Sequence, residues 1–197
     1  MQDCLRKSKE LVLEMRKEIR LAGFGGQGLI LAGIVLGRAA IMHAGMEAAH
    51  RQSYGTEARG GASRSEVIIS DQAIDYPAVI SGKNDVLIAM AGTALTRYIK
   101  DVKPGGIVIY DPDLVLDVPK GIDATFYGIR AVAIAERLGR RIVANMVMLG
   151  ALTELTHILP LDAVEKAVIS SVKAGTEDLN LKAINAGVAE VKGLVGV

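Results

Sequence analysis

Glu18-Ile19-Arg20-Leu21-Ala22 runs without a spacer into Gly23-Phe24-Gly25-Gly26-Gln27-Gly28, and a long apolar run, Leu29 to Ala44, follows. Short strand, glycine turn and apolar helix in this order open an α/β unit. Gly23, Gly25 and Gly28 satisfy G-x-G-x-x-G, and Gly26 adds a fourth glycine. Such a loop frees backbone N–H groups and lets an anion approach the next helix, whose N-terminal dipole favours negative charge. Three readings stay open at this point: a structural tight turn, a phosphate or partner contact, and a nicotinamide cofactor site. The last requires an acidic residue closing the second strand about twenty residues on. Glu47 sits near that distance, but at the start of Met46-Glu47-Ala48-Ala49-His50, which makes a poor buried strand.

Downstream, Ser65 to Ile69 reads as a strand, and Ala73-Ile74-Asp75-Tyr76 as the second arm of a hairpin across the turn-like Ser70-Asp71-Gln72. Asp85 to Met90, Ile107 to Tyr110 and 123–127 read as further strands. Thr93 to Val102 and 130–138 read as helices, closed by Pro104-Gly105-Gly106 and Gly139. The last third is helical: 143–157, then Leu161 to Val172 with Asp162 and Glu165 at capping-box spacing, then 177–194. Buried strands alternating with helices predict a three-layer α/β/α sandwich with a mixed, mostly parallel sheet and a helical C-terminal portion. Residues 18–197 form this domain. Residues 1–17 form an N-terminal extension, with an amphipathic helix over 3–17 built on Leu5, Val12, Leu13 and Met15.

Composition narrows the chemistry. Lys and Arg number 23 against 22 Asp and Glu, so no long-range field pulls the chain to nucleic acid or to an anionic membrane. Aromatics make up 4% and Trp is absent, which disfavours a stacking platform for single strands. The 197 residues include a single cysteine, Cys4, too few for a disulfide framework or a cluster ligated by this chain alone. No signal peptide opens the chain, and no charge-free apolar stretch reaches the roughly 18 residues of a membrane span. A cytoplasmic protein is expected.

The densest polar segment is Arg51-Gln52-Ser53-Tyr54-Gly55-Thr56-Glu57-Ala58-Arg59-Gly60-Gly61-Ala62-Ser63-Arg64. Arginine forks bind carboxylate or phosphate bidentately, and Gly60-Gly61 lets a backbone come close to a neighbour. This polar stretch is expected to be a functional or interface loop. Asn145, at the start of a nearly uncharged helix, is a cap, a core hydrogen bond or a site residue. His43, His50 and His157 show no metal-ligand spacing. The chain has no G-x-x-x-x-G-K-[ST] loop, no G-x-S-x-G elbow and no H-E-x-x-H. Nor does a carboxylate pair offer itself for general acid–base work.

Taken together, Ile19 to Gly28, Gln52 to Gly55 with Glu57 to Ser70, Ile74-Asp75-Tyr76-Pro77 and Val143-Ala144-Asn145-Met146 closely resemble the gamma subunit of 2-oxoacid:ferredoxin oxidoreductases, from about residue 18 to about 190. Glu57-Ala58-Arg59-Gly60-Gly61 looks like the 2-oxoglutarate and 2-oxoisovalerate branches. Thr56 stands where that family most often has proline. The resemblance implies a subunit without its own redox centre, inactive when isolated. Thiamine diphosphate, Mg and iron–sulfur clusters would sit on alpha and beta chains, with a delta chain in some assemblies. Coenzyme A would be a co-substrate and ferredoxin the electron acceptor, in the oxidative decarboxylation of a 2-oxoacid, foremost 2-oxoglutarate. It further implies no catalytic residue and no metal ligand here. Gly23, Gly25, Gly26, Gln27 and Gly28 would serve as a phosphate or coenzyme A loop. Ser53, Tyr54, Glu57, Arg59, Gly60, Gly61, Arg64 and Asn145 would serve as interface or channel residues. Expressed alone, such a chain is expected to self-associate through its partner surfaces. The competing reading is a stand-alone NAD(P)-binding dehydrogenase.

Overall fold

The computed structural model describes residues 15–55 and 61–196. Six strands build one sheet: β1 (Arg16–Phe24), β2 (Glu47–Tyr54), β3 (Ala62–Ser70), β4 (Asn84–Ala89), β5 (Val102–Tyr110) and β6 (Ala124–Gly128). Their spatial order is β2-β3-β1-β4-β5-β6. β1, β4, β5 and β6 are mutually parallel, and β3 runs antiparallel between β1 and β2. The helices are α1 (Leu29–Arg38), α2 (Gly92–Tyr98), α3 (Ala131–Arg137), α4 (Ala144–Thr156), α5 (Leu161–Ser171) and α6 (Glu177–Val195). The mixed, mostly parallel sheet with a helical C-terminal part is the architecture that the sequence predicts.

Every residue of β4 is buried, because side chains alternate between two covered faces. Val86 and Ile88 join Ile19, Leu21, Val67 and Ile109 on the thicker side, beneath α1 and α3 to α6. Leu87 and Ala89 face the thinner side, where Ala94, Leu95 and Tyr98 of α2 cover them. α4 and α6 cross at two glycines. A Cβ on Gly150 would stand 2.0 Å from the Ile184 carbonyl oxygen, and one on Gly187 2.0 Å from that of Val147. α1 approaches the sheet in the same way at Gly33, above Ser65 and His50.

The thinner face also buries charge. Arg20 of β1 is 4% exposed, pairs with Glu66 of β3 at 2.7 Å and with Asp101, and stacks 4.8 Å over the Tyr98 ring. Burial pushes the Asp101 carboxyl up. Hydrogen bonds from Ser81 and Arg20, with the charges of Arg20 and Arg64, outweigh that and hold it below its ordinary value. Glu18 accepts the Ile80 amide at 2.9 Å, so the segment after β3 is tied across this face.

Several local expectations change. β1 begins at Arg16, so a helix over 3–17 cannot include Arg16 and Lys17, and residues 1–14 lie outside the described residues. Residues 73–76 form no strand. The antiparallel partners of β3 are β1 and β2, which leave it no free edge for a second arm. Within Met46 to His50 a real strand begins at Glu47, but it is an edge strand with half-exposed residues, which is why it lacks a buried pattern. The apolar run from Leu29 tightens into α1 and then widens to a π-helical turn, Ala39–His43. The Asp162 and Glu165 capping box does not form. Pro160 caps α5, Asp162 pairs with Lys166 at 3.0 Å, and Glu165 accepts Asn185 from α6.

Candidate functional site

β1 and β4 lie side by side and parallel, yet their following helices leave to opposite faces of the sheet, α1 to the thicker and α2 to the thinner. This divergence makes a topological switch point, and a crevice opens at the C-terminal ends of the two strands. The glycine loop forms one lip. Gly26 and Gly28 adopt positive φ, 92° and 72°, where a side chain would be strained. Gly28 also leaves no room for a Cβ, which would stand 2.4 Å from Nδ2 of Asn145.

Gln27 holds the two lips together. Its side-chain carbonyl accepts the Phe24 amide at 2.7 Å, and its amide nitrogen donates to the Met90 carbonyl oxygen beyond β4 at 2.8 Å. The Gly25 amide donates to the Gly61 carbonyl at 2.8 Å, and that of Gln27 to the Phe24 carbonyl. The Gly26 and Gly28 amides have no hydrogen-bond partner among the described residues. Asn145, at the second position of α4 and 4% exposed, donates from Nδ2 to the Gly28 carbonyl at 2.9 Å, and its Oδ1 accepts the Met146 amide. The glycine loop, Gly61 and Asn145 therefore converge at one corner.

Other predicted site residues fall elsewhere. Arg64 turns under α2, 3.6 Å from Glu66 and 5.7 Å from the Tyr98 ring centre, away from the glycine lip. Ser53 and Tyr54 are exposed at the end of β2, opposite Arg64 and Ser63. Glu57, Arg59 and Gly60 lie outside the described residues.

Two clefts flank this corner. One, of about 310 Å³, is lined by Gly26, Gln27, Met90, Val132, Arg141, Ile142 and Ala144. The other, of about 340 Å³, lies beyond Ile142 between Gly28, Asn145, Arg140, Lys173, Thr176 and Asn180. Arg140 and Lys173 form no ion pair among the described residues, and Arg141 reaches Glu136 at 3.2 Å in an exposed pair of little strength. Asp111 secures the back wall by accepting the Val132 amide at 2.8 Å and the Asp113 amide at 2.9 Å. Burial raises its carboxyl above the ordinary value despite these bonds. The sequence reading overlooked Arg140, Arg141 and Lys173. The signal available was the run Arg137-Leu138-Gly139-Arg140-Arg141 just ahead of Asn145.

The chemistry this corner can perform is recognition. The Gly26 and Gly28 amides, unpaired among the described residues, with two arginines and a lysine beside apolar walls, suit a ligand with an anionic part and an extended, less polar part. Glu47 gives the dehydrogenase reading no support. It pairs with Ser70, and Ser70 with Arg16, which puts it at the end of the sheet opposite the glycine loop and two strands from β1. Among the described residues no helix is long and apolar enough to cross a membrane.

A family model described as pyruvate ferredoxin/flavodoxin oxidoreductase matches residues 18–190. The chain is 52% identical over 184 residues to a 2-oxoglutarate synthase subunit KorC of Methanocaldococcus jannaschii, covering 92% of this chain and 97% of that one. It is 53% identical over 182 residues to the KorC subunit of Methanothermobacter thermautotrophicus, covering 89% and 95%. Among solved structures it resembles the gamma subunit of a keto/oxoacid ferredoxin oxidoreductase from Geobacter sulfurreducens, with a TM-score of 0.79 and 43% identity over 90% of this chain and 99% of that one. It also resembles part of the 2-oxoglutarate:ferredoxin oxidoreductase from Magnetococcus marinus, solved with 2-oxoglutarate, coenzyme A and succinyl-CoA bound, with a TM-score of 0.77 and 27% identity over 90% of this chain and 31% of that one. With the six-stranded sheet, the glycine corner and relatives more than half identical over almost their whole length, the chain belongs to the pyruvate ferredoxin/flavodoxin oxidoreductase family.

Proposed function

We propose that this chain is the gamma-type subunit of a cytoplasmic 2-oxoglutarate:ferredoxin oxidoreductase, and that its glycine corner forms part of the coenzyme A side of the assembly. The near full-length identity of 52% to a 2-oxoglutarate synthase subunit carries the reading. The match to a ketoisovalerate oxidoreductase subunit of Methanothermobacter thermautotrophicus is lower, 35%. The complex decarboxylates the oxoacid, transfers the acyl group to coenzyme A and passes two electrons, one at a time, to ferredoxin. With Cys4 its one cysteine, this chain has no ligand set for an iron–sulfur cluster, and clusters, thiamine diphosphate and Mg are assigned to alpha, beta and delta partners.

This chain's own part is binding and orientation. The amides of Gly26 and Gly28, with Arg140, Arg141 and Lys173, match the phosphates of coenzyme A. The apolar wall of Met90, Val132 and Ile142 matches its pantetheine arm. Gly61 connects this corner to the polar loop, where Glu57, Arg59 and Gly60 are assigned to partner contact.

The test is the reconstituted complex carrying Arg140→Ala and Arg141→Ala together. The expected result is a KM for coenzyme A raised about tenfold or more, with kcat and subunit composition nearly unchanged. An unchanged KM overturns the coenzyme A assignment. Faster turnover with 2-oxoisovalerate than with 2-oxoglutarate in the wild-type complex overturns the substrate assignment. Arg59→Ala is expected to weaken assembly.

A further inference from the structure

Among the described residues the sheet ends at β2, and no further strand pairs with its outer edge. Natural proteins usually blunt such edges by keeping the strand short, or with charged side chains, lysine above all, with proline or with a bulge. β2 has eight residues with no lysine, proline or bulge, and its two charges, Glu47 and Arg51, are of opposite sign and do not repel a second copy. It pairs with β3 in unbroken one-to-one register from Glu47↔Ser70 to Tyr54↔Ser63, so its other side presents a regular row of backbone donors and acceptors.

The strand is also complementary to itself. When Glu47-Ala48-Ala49-His50-Arg51 is laid antiparallel on a second copy with Ala49 opposite Ala49, Glu47 stands opposite Arg51 and Arg51 opposite Glu47. Both residues are exposed, both lie on one face of the sheet by their alternation, and neither forms an ion pair among the described residues. Shifting the register by two residues to either side sets these charges against uncharged residues. A shift by four sets arginine against arginine or glutamate against glutamate. One register therefore pairs both charges. In that register Tyr54, 63% exposed, comes level with Ala44 of the second copy, next to the exposed Ile41 and Met42 on the turn leading into β2.

We propose that β2 pairs with β2 of a second copy of this chain across a two-fold axis, joining two sheets into one continuous sheet centred on Ala49. The contact is isologous: Glu47 and Arg51 of each copy meet Arg51 and Glu47 of the other. It leaves the glycine corner free, because Ala49 lies midway along β2 and two strands from β1.

Sedimentation velocity on the full-length chain tests this. The wild type is expected to be a dimer at micromolar concentration. Glu47→Arg and Arg51→Glu place like charges opposite each other, and each alone is expected to weaken the dimer about tenfold or more. Mixing the two variants is expected to restore a dimer containing one of each. The double variant Glu47→Arg/Arg51→Glu is expected to pair with itself. A monomeric wild type, single variants that stay dimeric, or a mixture that stays monomeric overturns the proposal. As an independent readout, Ala49→Cys in a Cys4→Ser background is expected to give a cross-linked dimer on mild oxidation. Its absence, or cross-linking to a different subunit in the assembled complex, overturns pairing between copies.

Discussion

Arg20 occupies the middle of the central strand, where a sheet of this kind would ordinarily carry an aliphatic side chain. Its charge is tolerated because Glu66, Asp101 and the Tyr98 ring surround it, and because Glu66 is itself 5% exposed and tied to both Arg20 and Arg64. Removing one member strands the others. Glu66→Ala is expected to destabilise the fold by about 3–5 kcal/mol, read as a lower denaturant midpoint. His50 is governed by burial and not by a charged partner. Its ring lies 2.8 Å from the Ser65 hydroxyl, beneath Gly33, and burial lowers its pKa. The folded chain then binds fewer protons than the unfolded chain as pH drops below about 6.5. The His50 contribution is full above that pH and is lost as pH falls through the lowered value. Urea midpoints at neutral and mildly acidic pH are expected to differ more for wild type than for His50→Gln.

Among the elements, the α4 and α6 pair is the most tightly fitted. Gly150 and Gly187 let each helix press against the other's backbone, so a methyl group at either place meets a carbonyl oxygen and not a flexible side chain. Gly150→Ala is expected to cost about 3 kcal/mol or more, which thermal unfolding would show as a fall of about 6–12 °C. Helices and buried strands of this kind were legible in the sequence because their apolar periodicity is strong. β2 was not, because Glu47-Ala48-Ala49-His50-Arg51-Gln52-Ser53-Tyr54 is an edge strand with little to bury and therefore no alternation to read. The segment at 73–76 misled for the converse reason. Its Ile74 and Tyr76 look strand-like, but β3 already has neighbours on both sides.

At the scale of the whole molecule, family-specific residues and the glycine loop pointed to the right fold and to one lip of the crevice. The other walls could not be read in advance. Arg140, Arg141 and Lys173 come from turns before α4 and before α6, and only the folding of the helical third against the sheet carries them to Gly28 and Asn145. Arg64 shows the reverse. It belongs to the most informative stretch of sequence, yet β3 aims it at the ion cluster below α2, because strand alternation decides direction and local composition does not.

By bonding to Phe24 on its own strand's exit and to Met90 on the neighbouring one, Gln27 fixes the spacing of the crevice before anything enters. A ligand entering there would find the two lips already spaced and would spend little entropy in drawing them together. Discrimination at this mouth would then rest on how well a molecule fits a gap that is set in advance.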